Sequence, residues 1–188
     1  MKVLIVYAHP QVEGHCSYIL ENVIKNLETK NINYDLIDLY KEKYDPILHE
    51  NELYTARNKH VDEINIKYQI LLKNADLRIF IYPIWWGSMP AILKGFFDKV
   101  LVAGFGFKFV NGFPIKLLKG RAIVFSTSGA PSLFYKLIDR TPIKLIKRLI
   151  LGFCGIKAKF YLLGNCKRIN DNKKEKISKM VNRALKNL

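Results

Sequence analysis

The residues whose types could do chemistry fall into three short windows. The first, HPQVEGHCS from His9 to Ser17, brings imidazole, thiol and hydroxyl groups to the start of a helical pattern. A hydroxyl or thiol there, beside free backbone N–H groups, can hold one phosphate. Ser17 can equally be an N-cap and nothing more. The second window, PIWWGSMP from Pro83 to Pro90, sets Trp85 and Trp86 next to Gly87 and Ser88. Paired indoles in a loop can wall a planar aromatic ligand, stacking being worth roughly 0.5–1.5 kcal/mol beyond burial. Gly87 lets the backbone approach such a ligand closely. Core packing or a dimer patch are the other uses of two adjacent tryptophans. In the third window, STSGAPS from Ser126 to Ser132, Gly129 sits among small hydroxylated neighbours. It is either a tight turn presenting N–H groups to a ligand or a plain strand-to-helix connection.

Other chemistries lack their residues. His9 and His15 are six positions apart and His49 and His60 are isolated, so no metal spacing exists. There is no GxGxxG, no GxxxxGKS and no GxSxG, and no carboxylate pair lies in the windows. Stacking walls and backbone donors with few titratable groups suit a protein whose hard chemistry is carried by a cofactor, here a flat ring system, and argue against a hydrolase.

The windows must be positioned by the elements that precede them. Val3 to Ala8 is continuously apolar, as a strand buried on both faces should be, and reads as a strand rather than a leader peptide. Ile19, Leu20, Val23, Ile24 and Leu27 then recur at helical spacing. Further strands are expected at Tyr34 to Leu39, Arg78 to Tyr82, Arg121 to Ser126 and Lys159 to Leu163. Helices are expected around Val61 to Leu72, from Pro90 onward, along a basic amphipathic stretch from Tyr135 to Leu151, and over Asp171 to Leu185. This alternation predicts an α/β fold with a doubly wound five-stranded parallel sheet, flavodoxin-like in its order 2-1-3-4-5, helices on both faces. Ligands then bind beyond the carboxyl ends of the strands, where the three windows lie.

Composition sets the bounds. A chain of 188 residues, 49% hydrophobic and 25% charged, suits one globular domain spanning 1–188. The longest uncharged stretch, Ile79 to Leu93, contains Pro83 and Pro90 and cannot span a bilayer. Cys16, Cys154 and Cys166 form neither a disulfide framework nor a zinc knuckle, which favours a reducing cytoplasm. Residues 1–115 balance thirteen Lys/Arg against thirteen Asp/Glu, so the net charge of +15 resides in residues 116–188, with eighteen against three. Such a field draws the phosphates of a dinucleotide, a nucleic acid or an anionic lipid, or it is simply a solvated face. The basic residues lack the layout of nucleic-acid readers, so no nucleic-acid partner is expected.

YAHPQVEGHCS at Tyr7 to Ser17, DLYKEKYDPIL at Asp38 to Leu48 and YPIWWGSMPAILKGFFDKVLVAGFGF at Tyr82 to Phe107 resemble the NAD(P)H:quinone oxidoreductases, the DT-diaphorase-like branch of the flavodoxin-like fold. STSGAPSLFY at Ser126 to Tyr135 and FCG at Phe153 to Gly155 fall where that family has related segments. The resemblance implies a flavin, FMN or else FAD, held by a homodimer, with NAD(P)H as donor and a quinone or nitroaromatic acceptor. Two electrons would pass through flavin N5 in a ping-pong cycle. By motif match, His9 and Ser17 would contact the phosphate end of the flavin. Trp85, Trp86, Gly87 and Ser88 would line the ring and ribityl chain, and Thr127, Ser128, Gly129 and Ala130 the pyrimidine edge. Tyr135 would be catalytic beside the flavin N1/C2 carbonyl, and Phe107 and Phe109 would cover the substrate pocket across the dimer interface. The family histidine six positions beyond Tyr135 is Thr141 here, with Arg140 adjacent, and the long C-terminal extension of mammalian members is missing. A flavodoxin-type electron carrier and a flavin-binding ancillary subunit of a membrane transporter are the alternatives.

Overall fold

The structure is a computed structural model and describes residues 1–53, 56 and 60–188. Its strands are β1 (Val3–Tyr7), β2 (Tyr34–Asp38), β3 (Leu77–Pro83), β4 (Phe107–Val110), β5 (Phe113–Lys116), β6 (Arg121–Thr127) and β7 (Lys157–Leu163). Five of them form a parallel sheet in the order β2-β1-β3-β6-β7, which is 2-1-3-4-5 when only those five are counted. The expected flavodoxin-like architecture is therefore observed. Every residue of β1 and β3 is buried, matching their uninterrupted apolar sequence. Val3 pairs with Leu77, Leu77 with Arg121 and Arg121 with Lys157, so the strands start level. Their carboxyl ends consequently finish along one edge of the sheet.

Helices cover both faces: α1 (His15–Thr29), α2 (Glu63–Asn74), α3 (Ala91–Val100), α4 (Ser132–Leu137), α5 (Thr141–Lys144), α6 (Leu151–Cys154) and α7 (Asp171–Ala184). Ile19, Val23 and Leu27 of α1 and Ile177 and Val181 of α7 bury against Val3, Ile5, Ile79 and Phe125 on one face. Leu72, Leu93, Phe96 and Ile146 pack on Leu4, Val6, Phe80 and Val124 on the other.

Two details depart from the sequence reading. The stretch from Tyr135 to Leu151 is not one helix but breaks between α4 and α5. Pro142 lacks an N–H and opens the new helix, while Asp139 Oδ1 accepts the Thr141 N–H at 2.9 Å. That second helix runs on through a π-helical turn, Leu145–Ile150, into α6, and ends at Gly155 with φ 105°. The other departure is a β-hairpin: β4 and β5 pair antiparallel around Asn111 (φ 50°) and Gly112 (φ 80°). It carries Phe107 and Phe109.

A buried lysine fastens Ile47 and Glu52 to α3. Lys99 Nζ lies 3.2 Å from Glu52 Oε2, itself buried, and donates to the Ile47 carbonyl at 3.0 Å. Asp45 and Asp62 approach the same nitrogen at 3.7 and 3.8 Å. Gly95 lets the chain lie this close, since a Cβ there would fall 2.1 Å from the Pro46 carbonyl oxygen.

Candidate functional site

The level carboxyl ends of β1, β3, β6 and β7 leave a cavity of about 420 Å³ at that edge. His9, His15, Cys16, Trp85, Thr127, Ser128 and Gly129 line it, joined by Cys166, Lys167 and Arg168 from the loop after β7. Three windows chosen from the sequence thus converge on one place, and a fourth adds two cations.

At one end stands the N-terminus of α1. Its N-cap is Gly14, at φ 148°, and no side chain caps it. The first backbone bond is Tyr18 N–H to the Gly14 carbonyl, so the earlier N–H groups of the turn have no helical partner. No acid sits in this first turn, and the positive end of the helix dipole faces the cavity. His15 Nε2 is buried with no hydrogen-bond partner. Burial, then Lys173 and His9, hold the His15 imidazole below its ordinary pKa. Glu13 is the one acid in the lining. Ser17 lies inside the helix, not at its cap, and its hydroxyl donates to the Gly14 carbonyl at 3.0 Å, outside the cavity lining.

The wall comes from the loop after β3. Trp85 and Ser88 exchange two backbone hydrogen bonds, each 2.9 Å, around Trp86 at φ 49° and Gly87 at φ 70°. Positive φ at both central positions defines a type I′ turn, which favours Asn and Gly and strains a tryptophan. This turn separates the indoles. Trp85 lines the cavity with its ring against His9, centroids 5.9 Å apart, whereas Trp86 stands on the turn tip at 105% exposure. The two do not form one flat wall in a single chain. Gly87 and Ser88 complete the turn behind Trp85 without lining the cavity.

The floor belongs to the loop after β6. Thr127 Oγ1 and Cys16 Sγ are 3.3 Å apart, tying strand end to helix start, and burial pushes the Cys16 thiol up to about 12. Ser128 Oγ donates to the Ala130 carbonyl at 2.7 Å, and the Ser128 N–H to the Leu163 carbonyl at 2.9 Å. Cys166 N–H returns to the Ser128 carbonyl, and Asn165 N–H to that of Ala130. Gly164 permits the contact, because a Cβ there would lie 2.1 Å from Ser132 N. Ala130 thereby braces the loop, while Gly129 opens onto free space. Tyr135, just beyond in α4, is buried with its ring edge-on to Phe134 at 5.1 Å and lines neither cavity. Phe107 and Phe109 belong to a second, apolar cavity of about 470 Å³ with Phe97, Leu149 and Phe153.

Unpartnered His15 and uncapped N–H groups at the start of α1, two cations in the lining, an indole and a braced backbone loop together fit a planar ring joined to a phosphate. FMN is such a group. The sequence windows missed His15 as a site residue and missed the loop after β7 altogether. The signal for the loop was available: Lys167-Arg168 follows the fifth strand as the other windows follow theirs.

Fold and cavity together define a flavodoxin-like protein, and comparison with known proteins agrees. A family model described as flavodoxin-like fold matches residues 1–188. An NAD(P)H oxidoreductase of Haemophilus influenzae is 34% identical over 177 residues, covering 91% of this chain and 87% of its own. An FMN-dependent NADH:quinone oxidoreductase of Clostridium perfringens is 30% identical over 195 residues, covering 98% and 96%. The crystal structure of Smu.1420 from Streptococcus mutans superposes with a TM-score of 0.88 at 35% identity, each chain covered fully. The chain belongs to the flavodoxin-like family, in its NAD(P)H:quinone oxidoreductase branch.

Proposed function

We propose that this chain is a flavin-dependent NAD(P)H:quinone oxidoreductase that binds FMN in the cavity between Trp85 and the start of α1. What carries the reading is the convergence on one cavity of an indole wall, a braced backbone loop and a phosphate end with an unsatisfied buried imidazole. Bound FMN supplies two-electron exchange between a reduced nicotinamide and an acceptor, chemistry that no side chain of the cavity offers. The chain's own work is to bind, orient and exclude water. The α1 N–H groups, His15 and the Lys167–Arg168 pair neutralise the phosphate. Trp85 fixes the ring plane by stacking, and Gly129, on the braced loop from Thr127 to Ala130, presents its backbone N–H to the polar edge. The Tyr135 hydroxyl is assigned as a donor to that edge on the family resemblance alone, since in the single chain Tyr135 is buried in α4 and lines no part of the cavity.

A second copy of the chain completes the site. Phe107, Phe109, Leu149 and Phe153 line an apolar cavity open to solvent, with Phe109 and Leu149 60% and 69% exposed. Trp86 is wholly exposed and Phe113 73% exposed. Aromatic surface of this extent is characteristic of an interface. In the proposed homodimer the Phe107–Phe109 wall of one protomer covers the cofactor of its partner, and one pocket serves donor and acceptor in turn. Among the described residues no helix is long and apolar enough to cross a membrane. Three free thiols favour a cytoplasmic setting.

Steady-state rates with NAD(P)H and a small benzoquinone test the reading. Parallel double-reciprocal lines dependent on added FMN are expected. A protein that stays inactive with FMN and either donor contradicts it. A stable one-electron-reduced flavin under partial reduction would favour the carrier alternative.

A further inference from the structure

The helix that follows α4 carries an arrangement the flavin cavity does not use. Arg140, Lys144, Lys147 and Arg148, with Ile143, line a separate cavity of about 330 Å³. All four line this one hollow, Arg140 from the N-cap and the others from the Thr141–Cys154 helix, in which Ile146 and Leu151 are completely buried. None of the four is in an ion pair among the described residues, although Lys94, Lys99, Lys174 and Lys179 are. The chain holds no Asp or Glu from Arg140 through Asn170. Asp139 is the adjacent acid, and its Oδ1 is taken by the Thr141 N–H. Four cations facing one hollow repel one another, and a bound anion relieves that repulsion.

The position of this hollow narrows the anion. Asp139, one residue before the cluster, abuts the Trp85–Ser88 turn: a Cβ on Gly87 would lie 3.9 Å from Asp139 Oδ2. The cluster thus begins next to a residue that lies beside the tryptophan turn, while the lining of the flavin cavity has its own cations, Lys167 and Arg168. A second phosphate group reaching this side comes with a bound substrate. A phosphomonoester carries about −1.5 to −2 charge at neutral pH, whereas each phosphate of a dinucleotide bridge carries a single charge. Four converging cations match the monoester. Of the two nicotinamide dinucleotides, only NADPH has one, on its adenosine ribose.

We infer that Arg140, Lys144, Lys147 and Arg148 form a phosphomonoester site that takes the 2′-phosphate of NADPH and makes the protein prefer NADPH to NADH. The inference rests on the proposed oxidoreductase reading and adds donor selection to it.

Calorimetry with the FMN-loaded protein tests it, using adenosine 2′,5′-bisphosphate against ADP-ribose, whose two phosphates are bridged and offer no monoester. The bisphosphate should bind more tightly, and Lys144→Gln/Arg148→Gln should weaken it about tenfold or more, ADP-ribose changing by less than about twofold. The KM ratio of NADPH to NADH should rise by a similar factor in the same variant. Donation from dihydronicotinamide riboside, which has no phosphate, supplies the reference. Lys144→Arg should retain the preference. Equal binding of the two adenosine nucleotides, or a bisphosphate affinity that the double variant leaves intact, would overturn the assignment. So would sedimentation with phosphatidylserine vesicles that the double variant abolishes while bisphosphate binding is unchanged, which would make this face a membrane contact. The calorimetric arm also runs on protein that takes up no FMN. Selective bisphosphate binding there would uphold the anion site while the oxidoreductase reading failed.

Discussion

The imidazole of His9 packs against the indole of Trp85, ring centroids 5.9 Å apart and planes tilted by 56°. The loops after β1 and β3 are thereby locked together at the point where the strand order reverses. His9 is further oriented from behind, its Nδ1 accepting the Gln11 N–H at 3.1 Å. Trp85→Ala removes the wall and leaves the phosphate end intact. FMN affinity, followed by flavin fluorescence, should fall about tenfold, and the unfolding midpoint of the flavin-free protein should barely move.

Trp86 behaves in the opposite way. Its φ of 49° in a type I′ turn costs on the order of 1–3 kcal/mol, strain of the kind kept at functional surfaces. Trp86→Asn fits that backbone and should stabilise the single chain by about 1 kcal/mol in urea unfolding. In the proposed dimer the same substitution weakens self-association, read by sedimentation velocity. An unchanged or lower stability would show that the turn is not strained.

Tyr135→Phe keeps the ring packed on Phe134 and deletes only the hydroxyl. Bound flavin should be retained, while its bleaching by NAD(P)H in stopped flow slows by about tenfold, less than the roughly 10²–10³ lost with an oxyanion-hole donor. Identical traces for both proteins would remove Tyr135 from the chemistry.

Lys99 and Glu52 are a buried ion pair at 3.2 Å. Lys99→Met strands the Glu52 carboxylate in the core and should cost about 3–5 kcal/mol of folding stability. Lys99→Met/Glu52→Leu should regain most of the loss, since a buried pair replaced by apolar groups is often neutral. Activity at saturating FMN should survive in the double variant.

The pH response follows from His9 and His15, both held below their ordinary imidazole pKa chiefly by burial. An imidazole depressed in the folded state adds stability above its unfolded pKa, near 6.5, and that stability is lost as pH falls below it. The flavin-free protein should therefore weaken from about pH 6.5 downward. A phosphate beside His15 reverses the preference, so FMN binding should take up protons in that range. Calorimetry in buffers of differing ionisation heat detects the uptake. Proton release would contradict the placement of the phosphate.

Much of this architecture was legible because the information is local. β1 and β3 are buried on both faces and read as unbroken apolar runs, and the carboxyl-edge rule then pointed to His9, Trp85 and Thr127. Lys99 was not legible, since a lysine in PAILKGFFDKV is an ordinary surface residue until three carboxylates from a distant loop reach it. The hairpin was legible and overlooked: FKFV-NG-FPIK holds the Asn-Gly signal between its two strands. The separation of Trp85 from Trp86 turned on backbone sign at two residues, which residue type alone misled, a tryptophan being a poor choice for that conformation.

Trp85 and Trp86 are the two tryptophans of the chain, and both sit on the turn at the cavity mouth. Emission from Trp85 therefore reports from the cavity and that from exposed Trp86 from the adjoining turn tip, and titrating the flavin-free protein with FMN while following it tests the central claim most directly. The account predicts quenching that saturates at one FMN per chain and is reproduced by no equal dose of adenosine monophosphate. Emission that stays constant up to saturating FMN would contradict it.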